Sequence, residues 1–257
     1  MKKIPIILLF IFCFSHCGWA WSRTGHDAIA YIAECNLTPK AKKTIEKYLD
    51  GKSIVYYASW MDEYRKTPEY GNTTNWHMTA VDEQFNCAEV MPNGKKTNAA
   101  IEVENAMKLL KNYQNLSDSA VAVNIKYIVH LVGDMHCPVH IHYPGLKIAF
   151  NIKLNGVVDS YHHVWDMTIN ETCHKWYYTE WQQQLDRCSE KEKEAIMAGT
   201  PRDWCHDNAV YCRKIYDMAV PDGEYGVDFL NAAHPIAEHQ ILYAGYRLAK
   251  VLNDIFG

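Results

Sequence analysis

From Ser119 to Cys137 the chain is apolar for about five helical turns. Inside that run sit an imidazole and a carboxylate one helical turn apart, His130 and Asp134, with a second imidazole, His136, near its end. Ser117-Asp118 supplies an N-cap and Pro138 a stop, so the segment is predicted to be one long helix. Ile125, Tyr127, Ile128, Val129, Leu131 and Val132 make it a core element. His130 and Asp134, four residues apart, share one face of it and are expected to be buried. An isolated pair at this spacing is ordinarily a simple ion pair. Buried in an apolar helix, the two groups need polar partners or a metal ion. The fold must therefore bring other polar groups to the middle of its most apolar helix.

The chain offers such groups. His162-x-x-x-Asp166 repeats the spacing, and His140 follows the Pro138 break. Asp62 ends the stretch Ala58-Ser59-Trp60-Met61-Asp62, and His77 follows Asn75-Trp76. Imidazoles and carboxylates without cysteine suit zinc with a position left open for water. No two cysteines form a C-x-x-C, which argues against a cysteine-rich zinc site.

The remainder reads as one all-α domain with a small β-hairpin. Helical spacing or caps mark residues 26–34, Pro39 to Tyr48 behind the cap Thr38, 54–65, 99–113, 160–170, 203–218 and 227–256. Pro235 is expected to kink or delay the last of these. Residues 150–154 alternate, and Asn155-Gly156 is a turn signal, which predicts the hairpin. No repeat, low-complexity stretch or linker divides the chain.

Residues 1–20 have the pattern of a secretory signal: Lys2 and Lys3, an apolar run from Ile6 to Phe14, and Gly18-Trp19-Ala20 before the cut. The run is too short to span a bilayer comfortably. A lipoprotein cut at Cys17 ranks second, because His16 is bulky where that cut favours a small residue. The favoured cut makes Trp21 the first residue of a domain covering residues 21–257, secreted or periplasmic and not integral to a membrane. Export permits disulfides, but the spacing does not give their pairing. Of nine cysteines, Cys13 and Cys17 leave with the signal, and an odd number remains. Sequons begin at Asn36, Asn72, Asn115 and Asn170. With 26 Lys and Arg against 30 Asp and Glu, the chain is acidic, which argues against binding long duplex DNA by phosphate neutralisation alone. Phosphate chemistry would need another source of positive charge.

The motifs Trp21-Ser-Arg-Thr-Gly25-His26, Ala58-Ser-Trp-Met-Asp62-Glu-Tyr-Arg65, Trp76-His77, His130-Leu-Val-Gly-Asp134-Met-His-Cys-Pro138-Val-His140 and His162-His-Val-Trp165-Asp166 occur in this order. Together they resemble the zinc-dependent single-strand nucleases of the S1/P1 type, a helical fold shared with zinc phospholipase C. The likeness runs from Trp21 to the C-terminus. It implies three zinc ions per chain. One would be held by Asp62, His77, His130 and Asp134, and a second by His140, His162 and Asp166. The third would take His26, Asp134, and the α-amino group and carbonyl of Trp21, so signal cleavage would complete the site.

The resemblance also implies hydrolysis of single-stranded DNA or RNA, or of a nucleotide, to 5′-phosphate products. Asp62 would orient the attacking water. Arg65, one turn on, would stabilise the charged transition state, unless it only pairs with Glu63 or Glu69 at the surface. No stable protein partner is implied. Two substrate-contact regions depart from the family pattern. Met78-Thr79-Ala80-Val81-Asp82 stands where relatives carry Phe and then Ile-Asp, and Leu146-Lys147-Ile148 stands where they carry Gly-Gly-Asn. Met78 and Asn151 are the expected replacement contacts, and Asp82 is expected to be displaced.

Two alternatives remain. A zinc phospholipase C also begins with tryptophan, but its next histidine ligand lies further along the chain and its separate zinc takes a glutamate rather than Asp166. A secreted zinc-binding protein without turnover would use the same ligands. His136 and His163 are either supporting groups around the metals or surface residues.

Overall fold

The computed structural model describes residues 21–257; the expected signal, residues 1–20, lies outside them. The chain folds in the order α1 (Arg23–Cys35), α2 (Pro39–Tyr48), α3 (Trp60–Tyr64), β1 (Thr79–Ala80), α4 (Ala99–Leu110), α5 (Asp118–Met135), β2 (Ile141–His142), β3 (Asn151–Leu154) and β4 (Val157–Ser160). It continues through α6 (Tyr161–His163), α7 (Ile169–Cys173), α8 (Tyr178–Leu185), α9 (Glu190–Met197), α10 (Pro201–Tyr216), β5 (Glu224–Tyr225) and α11 (Val227–Phe256). The expected all-α class holds. No helix among the described residues is long and apolar enough to cross a membrane.

Side-chain caps start α1, α2, α4 and α5, those at Thr38 and Ser117 as expected, and α1 begins three residues earlier than expected. Ser22, Thr38, Asn98 and Ser117 each accept the backbone N–H three residues on. α1 packs along α11 and α8, and α4 packs along α5. Gly245 lets α11 approach α1, since a Cβ there would overlap the side chain of Ile32. The hairpin is as expected: Asn151 pairs with Ser160 and Leu154 with Val157. Asn155 and Gly156 both have positive φ, 50° and 85°, as a two-residue hairpin turn requires.

Several boundaries differ from expectation, and most differences carry a physical reason. Residues 54–65 form a 3-10 turn (Ile54–Tyr57) and the short α3 rather than one helix. The interruption frees the Ala58 carbonyl, which accepts a hydrogen bond from His130 Nδ1 at 2.8 Å. Residues 161–173 are helical, but Val164–Thr168 form a π turn that carries Trp165 and Asp166. Such turns reposition side chains and recur at functional sites. Pro235 lies inside α11 without ending or delaying it. Helices α8 and α9 are additional to the expected elements. The parallel pairings β1–β2 and β3–β5 join segments distant in sequence, which no local pattern announces.

Cys35, Cys87, Cys137, Cys188, Cys205 and Cys212 are free thiols, with Cys87 and Cys205 in hydrogen-bond contact. Among the sequons, Asn72 and Asn115 are exposed, whereas Asn170 is buried against Gly25 and has no room for a glycan in the folded chain.

Candidate metal centre

The polar groups expected to meet around α5 do meet there. His130 and Asp134 are fully buried. α1 brings His26 against them, its ring stacked on His130 with centroids 4.2 Å apart and planes 11° apart. α3 supplies Asp62, the segment before β1 supplies His77, and the 3-10 turn after α5 supplies His140. α6 and its π turn supply His162 and Asp166.

Asp134 is the hub. Its Oδ2 lies 2.7 Å from His77 Nδ1 and 3.2 Å from His130 Nε2, while Oδ1 lies 3.4 Å from His26 Nε2. Asp62 Oδ1 is 3.8 Å from both His77 Nδ1 and His130 Nε2. On the far side, Asp166 Oδ1 is 3.4 Å from His140 Nε2, and Oδ2 is 2.9 Å from His162 Nε2. The surrounding backbone orients two of these rings. His130 Nδ1–H donates to Ala58 O, and His140 Nδ1–H donates to His77 O at 2.9 Å. Each then turns Nε2 toward the carboxylates, the nitrogen on which a metal ion would take the place of the proton.

The electrostatics are those of a dense charged array shut away from water. Burial alone would push Asp134 up, yet the charges of His130 and His77 hold it well below the usual carboxylate range. Asp166, also opposed by burial, is brought down to about 2 by His162 and His140. Burial works to lower His130, but Asp134 and Asp62 overcome it and raise the group to about 9. Burial lowers His26 and His77, with His130 adding to the effect in both. Asp134 and Asp166 therefore stay ionised.

Several buried atoms of the array make no hydrogen bond: both nitrogens of His26, His77 Nε2, Asp62 Oδ1, Asp134 Oδ1 and Asp166 Oδ2. Buried polar groups are ordinarily paired, so this concentration marks a set of cation donors. Donor atoms of His26, His130 and Asp134 lie within 4.8 Å of one another, as do those of Asp62, His77 and His130, and of Cys137, His140 and Asp166.

Trp21 is fully buried beside this array. Gly25 lies against it, because a Cβ there would come within 3.0 Å of Trp21 Cβ. The next residue anchors the segment, with Ser22 N–H donating to Asp166 O. Arg65 extends its NH2 to within 3.2 Å of Asp62 Oδ1, which places its guanidinium at the edge of the array.

The chain is matched by the S1/P1 Nuclease family profile over residues 21–257. It belongs to the S1/P1 nuclease family. Nuclease P1 of Penicillium citrinum is 26% identical, over 92% of this chain and 98% of its own. Endonuclease 4 of Arabidopsis thaliana is 25% identical over 92% and 89%, and Nuclease S1 of Aspergillus oryzae 23% over 92% of each chain. The expected enzyme class, an endonuclease, follows from S1/P1 membership, and the His/Asp groups give this member places for metal ions.

The expected substrate contacts are less central. Met78 is half-buried and its carbonyl accepts from Ala99 N–H at 2.9 Å. Asn151 is exposed at the start of β3, paired with Ser160, the cap of the helix that carries His162. Asp82 closes its own turn, with Oδ1 accepting from Gln84 N–H and Asn86 N–H. His136 is buried away from the array, donating Nδ1–H to Val132 O and accepting from Arg247. His163 pairs with Asp159. Cys137 joins these residues unannounced by its spacing, its thiol donating to Asp166.

Proposed function

We propose that this chain is an exported, trinuclear zinc phosphodiesterase that cuts single-stranded DNA and RNA endonucleolytically, leaves 5′-phosphates and also dephosphorylates 3′-nucleotides. The observation that carries the reading is Asp134: one oxygen faces His26 and the other faces His77 and His130, which suits a carboxylate bridging two ions. Asp62, His77, His130 and Asp134 would hold one zinc. His26, Asp134 and the amino group and carbonyl of Trp21 would hold another. His140, His162 and Asp166 would hold the third.

Zinc supplies Lewis acidity toward phosphoryl oxygens and ionises water near neutral pH. The protein's own groups do the rest. Asp62 orients the attacking water for in-line approach to phosphorus. Arg65, held beside Asp62, donates to the phosphoryl oxygens as charge builds on them. Cations held by these residues would supply the attraction for phosphate that the acidic chain lacks. Met78, next to the ligand His77, and Asn151, on the hairpin rim, contact the base and the backbone of the strand. A base next to the scissile phosphate must unstack to reach these contacts, which favours single strands. The run of family likeness from residue 21 supports export with cleavage after Ala20.

The test is one assay on purified mature protein after its zinc has been counted. Single-stranded DNA, RNA, a 3′-nucleotide and phosphatidylcholine are each incubated with and without chelator. Chelator-sensitive release of 5′-nucleotides at about three zincs per chain is expected. Lipid cleavage instead would select the phospholipase alternative, and full zinc without turnover would select the binding-protein alternative.

A further inference from the structure

Cys137 lies inside the buried array, and the three-zinc reading gives it no part. It sits three residues after Asp134 and three before His140, at the bend where α5 ends and the Pro138 turn begins. The thiol is fully buried. Sγ–H donates to Asp166 Oδ1 at 3.2 Å. His140 Nε2 is 3.4 Å from that same oxygen, and the donor atoms of all three residues lie within 4.8 Å of one another. The other oxygen of Asp166 adds an independent sign. Oδ2 is buried and 2.9 Å from His162 Nε2, yet makes no hydrogen bond to it. Two donors this close without a proton aligned between them are placed as ligands of a shared cation.

We propose that Cys137 is a sulfur ligand of the ion held by His140, His162 and Asp166, giving that position a Cys-His-His-Asp donor set. The inference rests on the metal-centre reading above. On binding, the S–H bond breaks, its proton leaves to solvent and an Sγ–metal bond forms, with no change in oxidation state. A divalent ion deprotonates the thiol that coordinates it.

Two consequences follow from the chemistry. One carboxylate and one thiolate balance the two charges of the ion, so this position would be locally neutral. Four protein ligands also close the coordination shell, so this ion would leave last under chelator. A soft sulfur donor further tilts the position toward zinc over magnesium or manganese.

The test uses the purified mature protein with zinc replaced by cobalt, its metal content counted, and its near-ultraviolet absorption recorded. A thiolate-to-cobalt charge-transfer band is expected in the wild type and should vanish in Cys137→Ser, whose hydroxyl keeps the hydrogen bond to Asp166. Full cobalt loading without the band overturns the proposal on wild-type protein alone, whatever the variant does. A band that survives in Cys137→Ser or in Cys137→Ala also overturns it, because the sulfur would then be another cysteine. Failure to bind metal at all would instead overturn the metal-centre reading, so the two failures are distinguishable.

Discussion

The ring of His26 occupies the space that a side chain at position 133 would need: a Cβ on Gly133 would lie 2.8 Å from His26 Nδ1 and 3.0 Å from Cε1. The missing side chain in α5 is what lets α1 deliver its histidine to Asp134. In an open helix, exchanging glycine for alanine stabilises by roughly 1 kcal/mol. Here Gly133→Ala is expected to do the reverse to the site. It should lower metal content by at least one ion and activity by up to about a hundredfold, the scale of a 1 Å misplacement. Metal analysis and turnover on single-stranded DNA check this, and a fully loaded, fully active variant would show that the contact does not position His26.

Removing a shared ligand should cost more metal than removing an unshared one. Asp134→Asn is expected to deplete two ions, and His162→Ala only one. Asp62→Asn and His130→Ala should abolish turnover. Metal counting and single-turnover assays decide, and retained activity in either of the last two would sink the three-ion assignment.

A residue added before Trp21 keeps the side chains of the array but blocks the amino group. Zinc content should fall by about one ion while the fold persists by circular dichroism. Unchanged stoichiometry would remove Trp21 from the ligand set.

Arg247 ties three elements together away from the metal centre. Its Nε donates to Ile196 O at 3.0 Å, NH1 to His136 Nε2 at 3.1 Å, and NH2 to Asp207. Arg247→Ala leaves the buried acceptors Ile196 O and His136 Nε2 unmatched, while the half-exposed Asp207 turns to water, and should destabilise the fold by about 2–3 kcal/mol in urea titrations. Metal stoichiometry of the protein that remains folded should not change. A loss below about 1 kcal/mol would mean that water replaces the guanidinium at little cost.

Asp27 gives a pH signature. Burial raises it to about 6, against the pull of Arg23, whose Nε is 3.6 Å away. Between its unfolded value, about 3.9, and 6, the folded state binds more protons than the unfolded state. This group therefore adds stability as pH falls through that window and opposes folding above it. Asp27→Asn should raise the Tm of chelator-treated protein at pH 7, and the gain should shrink by pH 5. An equal gain at both values would refute the linkage.

Much of the site was legible in the chain because its signals are local. The four-residue spacing of His130 and Asp134 in an apolar helix, the caps at Thr38 and Ser117, and the Asn155-Gly156 turn each depend on neighbours a few residues away. The burial of His130 and Asp134 followed from the residues around them. The family likeness then supplied which distant histidines belong together, something spacing could not do.

Tertiary structure alone decided the rest. A continuous helix through residue 58 is locally reasonable, but it would tie up the Ala58 carbonyl, which His130, 72 positions away, needs as its acceptor. The π turn at Val164–Thr168 sets Asp166 between His140 and His162, and no local preference asks for it. Cys137 reads as a buried cysteine at a helix end until the π turn sets Asp166 against its thiol. Periodicity and caps are fixed by neighbouring residues and can be read along the chain. The partners of a buried polar atom are fixed by which elements pack against it, and that exists only once the chain has folded.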